Sequence, residues 1–369
     1  MLTSVHPHDD VRIFYKEAKA LADAGHEVVM IAPHDVDEQC ENIRIISVLK
    51  AKNRYDRIIK TTWQLFRNAL KEKAHVYHFH DPELIPIGLL LQVMTGAKVI
   101  YDVHEDYPGT ILSRHWMPCG LRKPVSFTFK IFENLTSRFF SAIVSATPPI
   151  TQKFGSRNKN IVTVQNFPIL DDLFTDNGSI PWHARRDAVV YIGVLERIRG
   201  ITEMIESIAI VSRNGDSTLI LAGKFDPPNI QTHVENMPIW QRVEYKGTVP
   251  HRDIKALLDQ SRIGLVLFHP EPQYEVCYPT KLFEYMAAAL PVVASDFPLW
   301  RTIVGGAGCG LLVDPLDPHA IAHAIIYLLD HPDEAEKMGK SGRKAIEHKY
   351  NWNNEKTKLL KLYDHLLDK

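Results

Sequence analysis

Short apolar runs alternate with amphipathic segments along most of the chain. Val28 to Ala32 follows a helical pattern that ends at Gly25, and Gly264 to Phe268 is continuously apolar, as in a strand buried on both faces of a parallel sheet. This alternation predicts α/β units. The segment Asn166 to Pro181 is rich in Pro, Asp and Asn and has no periodicity, so it separates two such alternations.

The two alternations predict two Rossmann-like domains that face each other across a cleft. A short strand is expected at the start, at Leu2 to Val5. The final segment, Trp352 to Leu367, has the pattern of an amphipathic helix, which we expect to pack on the N-terminal domain. The expected boundaries are an N-terminal domain at 1–168, a linker at 169–184, a C-terminal domain at 185–348 and a crossover helix at 349–369.

The helix expected after Pro279 carries the first candidate site. Thr280 suits an N-cap, and Lys281 and Glu284 share one face of the first turn. The first turn also offers N–H groups and the positive end of the helix dipole. Because the helix follows a strand end, an anionic ligand with hydroxyl groups, such as a sugar nucleotide, would suit it. The alternative is a simple cap with an ordinary surface ion pair.

Composition narrows the class of protein. The chain has 369 residues, 45% hydrophobic residues and a net charge of −1, so it shows no nucleic-acid signature. Four cysteines without C-x-x-C spacing indicate reduced thiols in a cytoplasmic protein. The N-terminus lacks the pattern of a signal peptide, and the longest apolar run is too short to span a bilayer. The absence of G-x-G-x-x-G disfavours an NAD dehydrogenase.

Several segments resemble glycosyltransferase family 4, which has the GT-B fold, and they follow that family's order. They are Val76 to Asp81, Tyr101 to Glu105, Tyr191 to Gly200, Leu221 to Gly223, Tyr245 to Val249 and Pro279 to Ala287. The resemblance implies a hexosyltransferase that moves a sugar from a UDP- or GDP-type donor to an acceptor hydroxyl, with retention of configuration. It also implies no metal or other cofactor, and a place in polysaccharide or glycolipid biosynthesis.

The resemblance also implies a donor site. Its expected residues are Gly193, Arg197, Arg199, Val249, Glu275, Lys281 and Glu284. A ribose diol needs a carboxylate that accepts two hydrogen bonds, which suits Glu284. A diphosphate needs cations and N–H donors, which suits the arginines and Lys281. For Arg197 and Arg199 the alternative is a solvated loop.

One position departs from the family pattern. The family has two glutamates near the donor helix, and the second matches Glu284, but Val276 stands at the place of the first. Glu275 is the nearest acid and the better replacement, while Glu271 lies further toward the N-terminus. With this choice, the expected catalytic residues are His104, Glu275, Lys281 and Arg199.

Histidines mark the strand ends of the N-terminal domain. The family places a histidine near the reacting centre, which here is His104; the alternative is an exposed loop histidine. His78 and His80 form a His-x-His pair, but no further ligand is near in sequence, so we expect no metal site. The expected acceptor-binding residues are His80, Arg12 and Lys16.

Two segments combine cations with apolar residues at helical spacing, Lys50 to Lys73 and Arg114 to Phe140. Two interpretations are open. The apolar faces could lie on an anionic membrane surface, or they could pack into the core and leave a solvated charged surface. The expected partners are therefore a nucleotide sugar, a carbohydrate or lipid-linked acceptor and a peripheral membrane surface, with no nucleic acid.

Two other functions are compatible with the pattern. Val276 at the glutamate position motivates a nucleotide-sugar-binding protein without transferase activity. A GT-B epimerase or phosphorylase would keep the fold and act on sugars in another reaction.

Overall fold

The protein is described by a computed structural model that covers residues 1–114, 117–170, 180–212 and 215–368. Parts of the predicted linker and of the segment Arg114 to Phe140, including Trp116, lie outside the described residues. The chain divides into two compact units. The first comprises Met1–Asn166 and Trp352–Lys369, and the second comprises Phe167–Asn351.

The sheets of the first unit contain seven strands among the described residues. They are β1 (Val28–Pro33), β2 (Glu38–Cys40), β3 (Ile43–Val48), β4 (Val76–Phe79), β5 (Lys98–Val103), β6 (Ala142–Ser145) and β7 (Ile161–Thr163). The orders are β1-β3-β2 and β4-β5-β6-β7, and every pair is parallel except β2 with β3. The carboxyl ends of β4 and β5 therefore lie at one edge.

Leu2 joins the two sheets of the first unit by single bridges to Ile31 in β1 and Phe79 in β4. The expected strand from Leu2 to Val5 is thus wrong in extent. The backbone N–H of Ser4 donates 2.6 Å to the carboxylate of Asp81, which takes this part of the chain out of the ladder.

Helices cover the sheets of the first unit. They are Val11–Ala18 with its continuation Lys19–Asp23, Arg54–Asp56, Arg57–Thr61, Thr62–Glu72, the turn Pro82–Leu84, Ile85–Thr95, Tyr107–Ser113, Cys119–Thr136, Pro148–Gly155 and Trp352–Leu367. Asp10 caps the first helix by accepting from the N–H groups of Arg12 and Ile13. In the last helix, Tyr363 shares a hydrogen bond of 2.9 Å with His78. The expectation that this helix packs on the N-terminal domain is confirmed.

The second unit has a single parallel sheet among the described residues. Its strands are β8 (Ala188–Ile192), β9 (Thr218–Ala222), β10 (Val243–Tyr245), β11 (Ile263–Val266), β12 (Val292–Ser295) and β13 (Gly310–Val313), in the order β10-β9-β8-β11-β12-β13. This is the strand order of a Rossmann-like fold. All four residues of β11 are buried, as the continuous apolar run predicts.

The helices of the second unit lie between these strands. They are the turns Trp182–Ala184, Arg197–Arg199 and Pro238–Arg242, and the helices Ile201–Val211, Asn229–Glu235, His251–Asp259, Pro272–Glu275, Thr280–Ala287, Pro298–Trp300, Arg301–Gly305, Pro318–Asp330 and Pro332–His348. The helix Thr280–Ala287 follows Pro279, as expected. Pro279 is its N-cap residue and Thr280 is already helical, so the prediction of a Thr280 cap is wrong.

Candidate functional site

The strand order of the second unit reverses between β8 and β11. In open parallel sheets, ligands bind at the carboxyl ends of the strands that flank such a reversal. Two segments lie there. The turn Arg197–Arg199 follows β8, and the helix Thr280–Ala287 follows β11.

Gly193 opens the segment after β8 and has a φ of +133°, which side chains other than glycine rarely adopt. A Cβ atom at this position would lie 2.9 Å from Nζ of Lys281. The neighbouring backbone is held from two sides, because the Tyr191 hydroxyl donates to the carbonyl of Val194 at 2.9 Å and the Ile192 N–H donates to the Tyr285 hydroxyl at 2.8 Å. The glycine thus leaves a small, fixed space beside the ammonium group.

Lys281 is buried, with 6% of the residue exposed. Its Nζ atom lies 3.6 Å from the centroid of the Tyr191 ring and has no hydrogen-bond partner among the described residues. Burial lowers the pKa of Lys281 well below its ordinary value, and the nearby charge of Arg199 lowers it further. A buried ammonium without an acceptor is costly, and an anion bound beside it would remove that cost.

Arg199 is the second cation of this site. Its Nε lies 3.1 Å from Oε2 of Glu196. Its guanidinium carbon and Nζ of Lys281 each lie 5.4 Å from the centroid of the Phe268 ring. Two like charges that share one aromatic wall repel each other, and a bound diphosphate would remove that repulsion.

The other predicted donor residues have different surroundings. Arg197 is exposed, and Val249 is half-buried beyond the end of β10. Glu284 is half-buried on the helix that carries Lys281. Glu275 ends the short helix Pro272–Glu275 and is half-buried, whereas Glu271 is exposed. Val276, between Glu275 and the donor helix, is 49% exposed.

The structure therefore brings Gly193, Arg199 and Lys281 together. It adds the aromatic walls Tyr191 and Phe268, which sequence reasoning missed. A usable signal existed, because each aromatic residue lies at or just beyond the carboxyl end of a strand, where Tyr191 belongs to β8 and Phe268 follows β11.

In the first unit, His80 and His104 follow the carboxyl ends of β4 and β5. His80 Nδ1 and His104 Nε2 share a hydrogen bond of 3.2 Å, and Oδ2 of Asp102 lies 3.5 Å from the first nitrogen and 3.6 Å from the second. Burial lowers the pKa of His80 well below its ordinary value. The buried imidazole of His80 is thus neutral and can hold the more exposed ring of His104 in place.

Arg12 anchors this histidine pair through Asp102. Its guanidinium donates to both carboxylate oxygens at 3.0 and 3.1 Å and to the carbonyl of Val164 at 2.8 Å. Burial works to raise the pKa of Asp102, but the charges of Arg12 and His104 and the hydrogen bonds from the histidines together hold that pKa well below its ordinary value. Lys16 is also buried and donates to Oδ1 of Asn166 at 2.5 Å. The acceptor-binding role of both cations stays a prediction.

Two carboxylates join the His-x-His pair, which the sequence did not indicate. Glu17, His78, His80 and Asp102 place ligand atoms within 4.8 Å of one another. Nε of Arg12 lies 3.0 Å from Oε1 of Glu17, so the guanidinium contacts both carboxylates. A metal ion here would have to compete with the charge of Arg12. Burial raises the pKa of Glu17 well above its ordinary value.

His6 completes the surroundings of His104 and was not predicted. The two ring centroids lie 5.3 Å apart, and His6 Nδ1 lies 3.1 Å from Oδ2 of Asp10. Burial works to lower the pKa of His6, but the hydrogen bond to Asp10 and the charges of Asp81, Asp10 and Asp102 together raise it. Asp10 also caps the first helix, so the cap and the histidine cluster are one structure.

No helix in the described part of the chain combines the length and the apolar character needed to cross a membrane.

Two protein families match the chain. The family described as Glycosyltransferase Family 4 matches residues 11–167, and the one described as Glycosyl transferases group 1 matches residues 176–345. The phosphatidyl-myo-inositol mannosyltransferase of Mycobacterium leprae is 32% identical over 295 residues, which cover 78% of this chain and 73% of that protein. The glycogen synthase of Mycobacterium tuberculosis is 22% identical over 380 residues, covering 93% and 88%.

The fold is also found among solved structures. The Anabaena protein HepE, in complex with UDP and glucose, superposes with a TM-score of 0.73 over 99% of this chain and 98% of that one, at 12% identity. The GT-B fold predicted from the sequence is therefore confirmed. Together with the two family matches and the mannosyltransferase relative, these results show that the chain belongs to glycosyltransferase family 4.

Proposed function

We propose that the chain transfers a hexosyl group from a UDP- or GDP-type nucleotide sugar to an acceptor hydroxyl, with retention of configuration. The observation that carries the proposal is the buried ammonium of Lys281, which lacks a partner among the described residues and shares the Phe268 ring with Arg199. A diphosphate supplies the negative charge that this arrangement lacks. The likeness to HepE, whose complex contains UDP and glucose, supports a uridine nucleotide as the first donor to test.

The donor roles follow from chemistry and resemblance. Gly193 lets the diphosphate approach the backbone, and Arg199 and Lys281 neutralise it, with Arg197 reaching in from the exposed turn. We assign the ribose diol to Glu284. The base is assigned to the strand end near Val249, and the donor sugar to Glu275, with Glu271 as the alternative.

The proposed mechanism depends on stabilising the negative charge that develops on the leaving diphosphate. As the glycosyl bond breaks, the β-phosphate gains negative charge, which Lys281, Arg199 and the start of the helix Thr280–Ala287 stabilise. In the proposed reaction these cations take the place of a metal ion, and no cofactor is required. The phosphate oxygen accepts the proton of the acceptor hydroxyl. His104 is assigned to the reacting sugar, oriented by His80 and Asp102.

The acceptor is proposed to be a carbohydrate or a lipid-linked sugar of polysaccharide or glycolipid synthesis. His80, Arg12 and Lys16 remain the proposed acceptor residues. A lipid-linked acceptor lies at a membrane surface, so peripheral membrane contact belongs to the proposal. We place the protein in the cytoplasm, in keeping with four free cysteines.

The first experiment is a thermal-shift comparison of UDP, GDP, ADP and dTDP. The correct nucleotide at about 100 times its Kd contributes about 2.7 kcal/mol, or a rise in Tm of roughly 5–10 °C. Glu284→Gln should lose most of that rise, whereas the surface substitution Glu347→Gln should keep it. The absence of a shift with all four nucleotides would contradict the donor site.

Turnover separates the transferase from a second candidate, a nucleotide-sugar-binding protein without activity. That candidate is favoured by the exposed Val276 at the position of the missing glutamate. The product of a reaction with membrane extract and the nucleotide sugar should carry the anomeric configuration of the donor by NMR, and EDTA should leave the rate unchanged. Nucleotide binding without product would favour the binding protein.

A further inference from the structure

The helix Cys119–Thr136 in the first unit has an inverted polarity. Its buried residues are polar, namely Ser126, Glu133 and Thr136. Its exposed residues include large apolar side chains, which with Phe139 just beyond the helix are Leu121, Val125, Phe127, Ile131, Phe132, Leu135 and Phe139. Phe127 is 64% exposed and Ile131 is 52% exposed. The exposed apolar side of such a helix is suited to contact an apolar partner outside the protein core.

The spacing gathers these side chains on one side. Leu121, Val125, Phe132 and Leu135 recur at intervals of three, four or seven residues, so they lie above one another on the helix surface. Phe127 and Ile131 are four residues apart and widen the stripe. The interpretation that these apolar residues pack into the core is therefore wrong for this helix. The exceptions are Phe129, which is half-buried, and Phe140, which follows the helix and is buried.

The neighbouring helix extends the same surface. The Gln92 side chain of helix Ile85–Thr95 donates to the carbonyl of Phe139 at 2.8 Å, which places the two helices side by side. That helix exposes Leu90, Val93 and Met94, and Val93 is 84% exposed. We refer to these three residues, together with the seven listed above for Cys119–Thr136 and Phe139, as the apolar face.

A second exposed group lies in the same helical layer. The helix Thr62–Glu72 packs against Ile85–Thr95. The exposed large apolar residues at its start and in the preceding turns are Tyr55, Ile58, Ile59 and Trp63. Part of the predicted amphipathic segment Lys50 to Lys73 is thus exposed, while Leu65, Phe66 and Ala69 are buried.

The charged residues around the apolar face indicate which kind of partner binds it. Between Met117 and Ser141 the only acid is Glu133, which is buried and 2.7 Å from Nζ of Lys153. The cations of the same stretch are Arg122, Lys123, Lys130 and Arg138. A second copy of this face would bring cations against cations. A surface that is both apolar and anionic is complementary, and an anionic lipid bilayer is such a surface.

We propose that the apolar face docks on an anionic lipid bilayer, with the helix Cys119–Thr136 lying in the plane of the interface. Phe127, Ile131 and Leu135 enter the acyl region, while Lys123 and Lys130 contact the headgroup phosphates. The inference gives the membrane contact of the proposed function a location. It stands on surface residues that take no part in the donor site.

Sedimentation of the full chain with vesicles tests this proposal. The wild type should bind vesicles that contain phosphatidylglycerol and should bind phosphatidylcholine vesicles at least about tenfold more weakly, since several basic residues contribute. Phe127→Ser/Ile131→Ser should weaken binding about tenfold or more, and Lys123→Gln/Lys130→Gln should weaken it and reduce its salt dependence. The control Val36→Ser/Leu49→Ser removes two exposed apolar residues from outside the apolar face and should bind like the wild type.

Two results would overturn the proposal. One is equal binding by the wild type and the Phe127→Ser/Ile131→Ser variant, or no binding by either. The other is a wild-type dimer in analytical ultracentrifugation that the same variant converts to monomer, since the face would then be a self-association surface. The nucleotide thermal shift, measured on the same variants, should stay unchanged. A failed donor site would abolish that shift and leave vesicle binding intact.

Discussion

The ammonium nitrogen of Lys281 lies 3.6 Å from the centroid of the Tyr191 ring and receives no hydrogen-bond acceptor from the described residues. The aromatic face offers a weak substitute for water, because its quadrupole attracts cations. In the free protein, burial of this ammonium group thus costs free energy, and a bound anion would remove that cost. Stability without ligand and affinity for ligand should therefore oppose each other at this residue.

Lys281→Met should stabilise the free protein and abolish nucleotide binding. Methionine has a similar length and needs no hydrogen bond, so the free energy of unfolding should rise by about 1 kcal/mol. Urea unfolding without nucleotide and the UDP thermal shift measure the two effects. As a control, Lys340→Met removes an exposed ion pair with Glu336 and should change neither. A destabilised Lys281→Met protein would show that the ammonium has a stabilising partner.

Nucleotide binding should take up a proton. Burial and Arg199 lower the pKa of Lys281 in the free protein, and a bound diphosphate would raise it again. Affinity should therefore fall as pH rises between the lowered pKa and the restored one, by up to about tenfold per pH unit, and should be flat below that interval.

Calorimetry can count this proton directly. Titrations at a series of pH values above the second phosphate pKa of about 6 should give binding heats that depend on the ionisation enthalpy of the buffer wherever the pH lies between the lowered and the restored pKa of Lys281. A Lys281→Arg variant that still binds nucleotide weakly should give the same binding heat in every buffer, because a guanidinium stays protonated. Identical heats in all buffers at every pH of the series would contradict proton uptake by Lys281.

Gly193→Ala should damage the site through the backbone. The residue has a φ of +133°, and the new methyl group would lie 2.9 Å from Nζ of Lys281. We expect a loss of about 1–3 kcal/mol in stability and a loss of the UDP thermal shift. Gly305→Ala is the matched control, since a Cβ there meets nothing within 4 Å and φ lies outside the positive region. Equal behaviour of the two variants would be inconsistent with a tight glycine at position 193.

Arg12→Met should destabilise the first unit strongly. It would leave the carboxylate of Asp102 buried without its guanidinium partner, at a cost of about 3–5 kcal/mol. Lys19→Met removes an exposed pair with Glu41 and should cost less than about 1 kcal/mol. Chemical unfolding of both variants measures the difference.

The same pair has a pH signature. Because the folded pKa of Asp102 is lowered, its contribution to stability is present above the unfolded pKa of about 4 and is lost as pH falls through the folded value. Arg12→Met should reduce that contribution, so the variant should show a weaker acid dependence than the wild type. A parallel pH profile for the two proteins would count against Arg12 as a main group that lowers the pKa of Asp102.

The fold was largely predictable because local patterns carry it. The continuous apolar run at β11 and the helix that stops before Gly25 follow from periodicity and from glycine at a positive φ of 89°. Failures came where a distant side chain decides a local structure. Leu2 forms bridges instead of a strand, because Ser4 binds Asp81, which lies 77 residues further along the chain.

The candidate sites were less predictable for the same reason. Lys281 was identified from its position on a helix, but its burial against Tyr191 depends on packing between β8 and the donor helix. Glu17 and Asp102 surround the His-x-His pair from other elements, and no spacing in the sequence relates them. The inverted polarity of the helix Cys119–Thr136 was also not predicted, because a periodic apolar stripe does not reveal which side of a helix faces the core.

The hydrogen bond between His78 and Tyr363 joins residues 285 positions apart. At a synthesis rate of about 5–20 residues per second, the ribosome takes roughly 14–57 s to add that many residues. The second unit is continuous in sequence and is complete before Trp352 is made. On the ribosome, residues 1–166 are therefore made without the helix that binds His78, and that helix, translated after the whole second unit, completes the first.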